Sequence, residues 1–360
     1  MTSTYLDAVL SNPQYPVFCA ISLLTLFALK YSFFDNARKY PVLNPKKPFE
    51  WSDRRVTQDF IANSRSLLTK ARALYKDQPY WAYTEWGENL VIPPEFLDSL
   101  KGNRQLDFQF PARDAAAEGK PSPFDDSIEW FEKEYPKHDP ATEQIAISLV
   151  AYHTTSDLLM ETLFNLCQHP ELLKPLREEI VTVLSEEGLK KTSLNNLKLM
   201  DSVLKESQRL RPILLGSFRR LALADITLPN GDVIKKGTRL VCDTTHMWGS
   251  EYYKDATTFD GYRYLKMRQT PGQDKHAHLV STSSDHLAFG HGLHACPGRF
   301  FAANEIKIML CHLLLKYDFK LEDGVVPTPT TFGFKLMGDG KAKLLVRRRE
   351  AELDMESVEI

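Results

Sequence analysis

The residues best equipped for chemistry lie in one run, Phe289-Gly-His-Gly-Leu-His-Ala-Cys-Pro-Gly298. Directly after it the chain reads RFFAANEIKIMLCHLLLKYDF from Arg299, with apolar residues at a spacing that predicts a mostly buried helix. Pro297 suits a first helical position, where its missing N–H costs nothing. Cys296 then falls at or near the N-cap, facing unpaired backbone N–H groups and the positive end of the helix dipole. Both effects lower a thiol pKa and favour the thiolate, which can ligate iron. Gly290, Gly292 and Gly298 allow the close approach of a flat ligand such as a porphyrin. Phe289 offers an aromatic face, and His294 a polar or cationic group for an anionic edge. Taken by itself, a single cysteine at a helix start is more often a buried structural residue.

A second constellation sits in Met200–Pro212, a predicted helix that ends before its proline. Met200, Val203, Leu204 and Leu210 mark its apolar side. Glu206 and Arg209 are three apart and so share a face, a spacing that also suits an ordinary surface pair. A third is Ala141–Cys167, apolar around most of its circumference, as a helix through a core should be. Its middle carries His153, Thr154, Thr155, Ser156 and Asp157. Polar groups in a buried helix face a cavity or back-bond to their own carbonyls. Between Gly216 and Asp243, Leu228-Pro-Asn-Gly-Asp232 is a turn signal between strands.

Phe289, Gly292, His294, Cys296, Pro297 and Gly298 resemble the haem-binding signature of the cytochrome P-450 superfamily of haem-thiolate monooxygenases. The resemblance implies haem b with Cys296 as the axial iron ligand, and Phe289, Gly290, Gly298 and His294 in its binding site. It implies a mainly α fold with small antiparallel β-sheets. Glu206 and Arg209 resemble the family's K-helix pair, which is buried and completed by an arginine from the segment ahead of the cysteine loop. Phe259-Asp-Gly-Tyr-Arg-Tyr264 resembles that segment and makes Arg263 the candidate. Gly261 or Tyr262, and Tyr264, stand where the family usually has proline and phenylalanine. Ala141–Cys167 resembles the I helix on the distal side of the haem. Thr154 matches the threonine that assists oxygen activation, with His153 where an acid is more usual, as in a subset of fungal members that oxidise terpenoids and related polyketide products. A histidine there retains a proton-relay role, since it titrates near neutrality. By spacing to Asp225, Arg220 matches an arginine that reaches a haem propionate, with Arg219 the rival claimant.

The wider chain frames these segments. It has 360 residues, 43% hydrophobic, with net charge −2. That is a globular balance, and without a basic stripe it argues against nucleic acid. The five cysteines form no CxxC pair. His276-Ala-His278 lies in a polar loop and reads as an exposed pair. After a segment 1–14, residues 15–34 are nearly free of charge and about long enough to span a bilayer. Basic residues and three prolines follow over 35–48, which places the body 49–346 in the cytosol; the arrangement resembles a microsomal member of the family, which implies an endoplasmic-reticulum anchor. A buried core helix is the other reading of 15–34. Residues 331–346 read as a hairpin turning at Gly338-Asp-Gly340, and 347–360 as a mobile charged tail. Arg65–Tyr75 reads as the first helix.

One departure from the family matters. Between the first sheet and the I helix, near 108–125, the chain runs from strand-like sequence almost directly into the approach to the I helix. The family places several helices there, including a Trp-x-x-x-Arg motif that this chain lacks. A splice form, a gene-model artefact or a truncated paralogue would each produce this. Losing those helices should expose apolar surface on the I helix and leave the haem pocket wet. Three functions stay open. The first is a membrane-anchored monooxygenase that takes electrons from an NADPH-dependent reductase and oxidises a hydrophobic terpenoid or other secondary metabolite. The second is an inactive haem-thiolate remnant, and the third a membrane adaptor without haem.

Overall fold

The structure, a computed structural model, describes residues 38–47, 50–107, 135 and 139–358. The expected anchor at 15–34 and the expected gap near 108–125 lie outside these residues. Among the described residues, no helix is long and apolar enough to cross a membrane. The elements below belong to the compact unit Leu43–Ile360.

Helix α1 spans Arg54–Tyr75 and buries Val56, Phe60, Ser64, Leu68 and Ala71 along one stripe. It begins well before the expected Arg65. The stripe is one residue wide and the helical angles lapse at Asn63 (φ −123°), so the apolar period is weak on its N-terminal side. The hairpin β1 (Tyr80–Thr84) and β2 (Gly87–Ile92) follows, turning at Gly87, whose φ is +89°. Then come β3 (Leu106–Asp107), α2 (Pro140–Gln168), α3 (Leu173–Glu187) and α4 (Lys198–Leu210). Strands β4 (Gly216–Ala222), β5 (Ile226–Thr227), β6 (Val233–Ile234) and β7 (Arg239–Asp243) complete the middle of the chain. The five-stranded sheet has the order β1-β2-β7-β4-β3; only its β2–β7 pair is parallel. As the turn signal predicts, β5 and β6 pair antiparallel across Gly231.

Helices α5 (Arg263–Arg268) and α6 (Arg299–Lys316) lead into β8 (Tyr317–Leu321), β9 (Thr330–Phe332), β10 (Lys335–Met337) and β11 (Leu344–Arg348). The main core joins Leu163 and Leu166 of α2, Ile180 of α3, Val203 and Leu204 of α4, and Ile306, Leu310 and Leu314 of α6. The chain is thus mainly helical with small sheets.

Two expectations change at the C-terminal end. The C-terminal hairpin turns at Gly333, not at Gly338–Gly340: β9 pairs β10, while β11 pairs β8. Gly333 adopts φ +57°, and Phe334 beside it is fully buried against Phe60 and Trp86. Asp339 instead closes its own loop by accepting from the N–H groups of Thr328, Lys341 and Ala342. The tail is docked as far as it is described. Arg349 donates to the Leu315 carbonyl and to Glu352, and Met355 enters the core. Its charges masked those apolar anchors. Helix α2, expected to show apolar surface once its covering helices are lost, is a core helix only in its C-terminal half. Ile145 (68% exposed), Leu149 (56%) and Tyr152 (70%) stand in solvent, whereas Leu158, Leu163 and Leu166 are buried.

Candidate functional site

The Cys296 loop is closed by its own backbone. The Cys296 N–H donates to the Phe289 carbonyl at 2.8 Å, and the Gly290 N–H to the Leu287 carbonyl at 2.8 Å. Gly290 (φ +69°) and Gly292 (φ +77°) take left-handed conformations that side chains disfavour. At Gly292 a Cβ would also lie 2.5 Å from the Lys101 carbonyl oxygen, so this glycine serves the packing of the loop on the chain near residue 101. At Gly298 an added Cβ would meet nothing within 4 Å, which leaves open space over the turn.

Helix α6 starts at Arg299 with Gly298 as its N-cap, so Pro297 is not its first residue, and Cys296 lies near the cap, two residues before it. Pro297 and Gly298 form a turn instead, and Gly298 caps with no side chain. Cys296 is held by Arg299, which sequence reasoning missed: its Nη1 donates to the Cys296 carbonyl at 2.8 Å and its Nε to the Val280 carbonyl at 3.2 Å. His291, also missed, bridges Thr282 (3.2 Å) and Asp98 (3.1 Å).

Cys296 is a free, partly exposed thiol. Phe289 and His294 are half-buried beside it in the chain, and Leu293, Phe300 and Phe301 are exposed. A soft sulfur donor, open space over a glycine and uncovered apolar side chains fit a flat, iron-bearing apolar group.

Glu206, Arg209 and Arg263 come together in the interior. Arg209 donates from Nε and Nη2 to Glu206, each at 2.8 Å, and both side chains are 0% exposed. Arg263 Nε reaches the same carboxylate at 3.0 Å, and the Asp260 N–H adds a bond at 3.1 Å. Arg209 Nη1 also donates to the carbonyls of Met247 and Ala256, both at 2.6 Å. Burial works against the Arg209 charge, but the bonds to Glu206 outweigh it and raise the guanidinium pKa.

The polar middle of α2 divides. Thr154 Oγ1 donates to the Val150 carbonyl at 2.8 Å, and Thr155 and Ser156 back-bond likewise. His153 is exposed. Asp157 is drawn away by Arg211 Nη2 (2.6 Å) and the Gly338 N–H (3.2 Å). No hydrogen bond joins Thr154 or His153 to the cysteine loop among the described residues.

Strand β4 separates the two rival arginines. A bulge between Ser217 and Arg220, with Phe218 at φ +56°, turns successive side chains apart. Arg219 stacks on Trp86 at 3.6 Å, whereas Arg220 is buried over Phe218 and donates to the Arg219 carbonyl. Ser217 Oγ ties the same strand to the Leu287 carbonyl at 3.1 Å, at the entrance to the cysteine loop. A cleft of about 550 Å³ lies elsewhere, between α1, the end of β2 and residues 243–252, and holds none of these residues.

The comparisons with known proteins point one way. A family model described as "Cytochrome P450" matches residues 132–346, more than half of the chain. The chain is 45% identical to the cytochrome P450 monooxygenase eqxH of Fusarium heterosporum over 511 aligned positions, which take in 99% of this chain and 100% of that protein. That alignment is longer than the 360-residue chain, so it contains a substantial gap. The chain is 51% identical to the cytochrome P450 monooxygenase ntnM of a Nectria species over 65% of its own length and 46% of the relative. For hepE of Aspergillus oryzae the figures are 48% identity over 66% of this chain and 44% of the relative. The chain thus spans less than half the length of these last two relatives.

Proposed function

Because the chain belongs to the cytochrome P450 family, we propose that it is a haem-dependent monooxygenase whose iron is held by Cys296. The observation that carries this is the loop itself, which presents a partly exposed thiol on a turn with open space at Gly298. A bound haem supplies one-electron and O2 chemistry, and a thiolate ligand favours O–O cleavage.

The residues of the chain do the rest. Cys296 ligates, with its backbone fixed by Phe289 and Arg299. Phe289, Gly290 and Gly298 form the seat, and Arg220 and His294 offer cationic or donor groups to the carboxylate edge. Glu206, Arg209 and Arg263 lock the segment 247–263 under α4. On α2, Thr154 can turn its hydroxyl from the Val150 carbonyl and pass a proton, with His153 as the relay from solvent. The substrate in this reading is a hydrophobic small molecule, a terpenoid or another secondary metabolite. Electrons come from an NADPH-dependent reductase at the endoplasmic-reticulum membrane, where residues 15–34 anchor the chain.

A specific observation favours a second reading, an impaired haem-thiolate remnant. Ile145, Leu149, Val150 and Tyr152 of α2 are more than half exposed beside Thr154. Water reaching a site so open leaks protons and uncouples turnover. Purified protein reconstituted with a microsomal reductase decides between the two. NADPH-dependent conversion of a terpenoid panel supports the monooxygenase. Consumption of NADPH with no oxidised product supports the remnant.

A further inference from the structure

Helix α4 carries a second buried polar stripe, on residues the haem-thiolate reading does not use. Asp201, Lys205 and Gln208 fall at i, i+4 and i+7, hence on one face. Their exposures are 4%, 1% and 4%. Each holds part of the segment that leads into the cysteine loop. The Asp201 carboxylate accepts from the Leu279 N–H at 2.8 Å while pairing with Lys307 of α6 at 2.6 Å and with Arg268 of α5. Gln208 Oε1 accepts from His286 Nε2 at 3.1 Å. Burial and the nearby Lys205 and Arg209 charges depress the His286 pKa, which leaves its Nδ1 free to accept from the Tyr264 hydroxyl at 3.3 Å.

Lys205 is the centre of the stripe. Its ammonium donates to three carbonyls of one short segment: His276 at 2.9 Å, His278 at 2.7 Å and Ser281 at 3.0 Å. Three donors meet three acceptors, so the ammonium is fully used. The segment wraps its backbone around the Lys205 amine, whose pKa burial pulls down to about 7, with the face of Tyr264 5.1 Å away. Val280, inside this wrap, is the residue whose carbonyl accepts from Arg299, and Arg299 in turn holds the Cys296 carbonyl. A continuous set of bonds therefore runs from Lys205 through the 276–281 turn and Arg299 to Cys296.

We propose that Lys205, supported by Asp201 and Gln208, is a positioning residue for Cys296: it shapes the 276–281 turn on which Arg299 and the cysteine loop are seated. The proposal rests on the reading of Cys296 as the iron ligand only for its functional consequence. The positioning itself concerns this chain's own backbone.

The test compares Lys205→Met with Leu336→Ala, a core truncation in β10 that is remote in the chain and serves as a control for general destabilisation. Hydrogen exchange is followed on the full chain as purified, and the carbon-monoxide difference spectrum on the reduced, haem-loaded protein. In K205M the three carbonyls lose their donor. Exchange at Leu279, Ser281 and Cys296 is expected to rise about tenfold or more relative to β1 and β2, as in a local opening. The thiolate-type band is expected to fall at least about twofold per folded protein, and L336A to change neither ratio. Lys205→Arg should restore only part, because a planar fork cannot aim three donors at converging acceptors. Uniform exchange changes across the chain in K205M, or none, overturn the proposal. So does a K205M band equal to that of the parent. If the parent shows no band that depends on Cys296, the haem reading fails, and the exchange arm still decides the positioning.

Discussion

Glu206→Gln is the change whose cost the structure bounds best. The Glu206 carboxylate accepts two bonds from Arg209 at 2.8 Å, one from Arg263 Nε at 3.0 Å and one from the Asp260 N–H at 3.1 Å. Neither Glu206 nor Arg209 touches water. Glutamine keeps the shape, removes the charge and turns an N–H2 toward two guanidinium groups. Removing one partner of a buried pair costs about 3–5 kcal/mol, mostly from the charge left behind. Arg209 keeps its bonds to the Met247 and Ala256 carbonyls, so the lower end applies, about 3 kcal/mol. Set against a total stability of about 5–15 kcal/mol, that is a large fraction. Urea unfolding followed by circular dichroism measures it. In the double variant with Arg209→Met the costs should fall short of additivity by about 1–3 kcal/mol. A Glu206→Gln effect within about 0.5 kcal/mol of the parent, or strict additivity, would refute the triad as a coupled unit.

Gly292→Ala should destabilise by about 1–3 kcal/mol and lower haem content, because the residue sits at φ +77° against the Lys101 carbonyl; thermal melts and pigment per chain read both effects. Asp243 supplies a pH signature. Burial pushes its carboxyl up to about 6, only partly offset by bonds from Thr245. A folded pKa above the unfolded value means that its contribution is fully present below about pH 4 and is lost as pH rises through about 6. Asp243→Asn should flatten that segment of the stability–pH curve, as urea titrations at stepped pH would show. An unchanged slope would contradict the assignment.

The parts of this chain that were legible in the sequence share a cause: each is specified locally. The cysteine loop is set by glycines within ten residues, and the end of α4 by Pro212. The Glu206–Arg209 pair follows from helical spacing, although only the fold shows that it is buried. What escaped the sequence depends on partners far along the chain. Arg299 stands in the first turn of α6, and only the fold brings its guanidinium to the Cys296 and Val280 carbonyls. Two strands that look joined by Gly338-Asp-Gly340 belong to different pairs, because Phe334 is the residue the core takes in. The Arg347–Val358 tail looked solvated because its charges outnumber Met355, Leu353 and Val358, which pack on the core. For α2 the sequence reports both an apolar surface and the loss of the helices that would cover it. The exposed N-terminal half agrees with a chain shorter than its alignment to the Fusarium relative.

The central claim is that Cys296 holds a haem iron as a thiolate. The carbon-monoxide difference spectrum of the reduced protein, recorded beside Cys296→Ala at matched folded concentration, tests it most directly. A thiolate-type band is expected in the parent and none in the variant. A parent without the band after haem loading, or a Cys296→Ala protein that keeps it, would contradict the account.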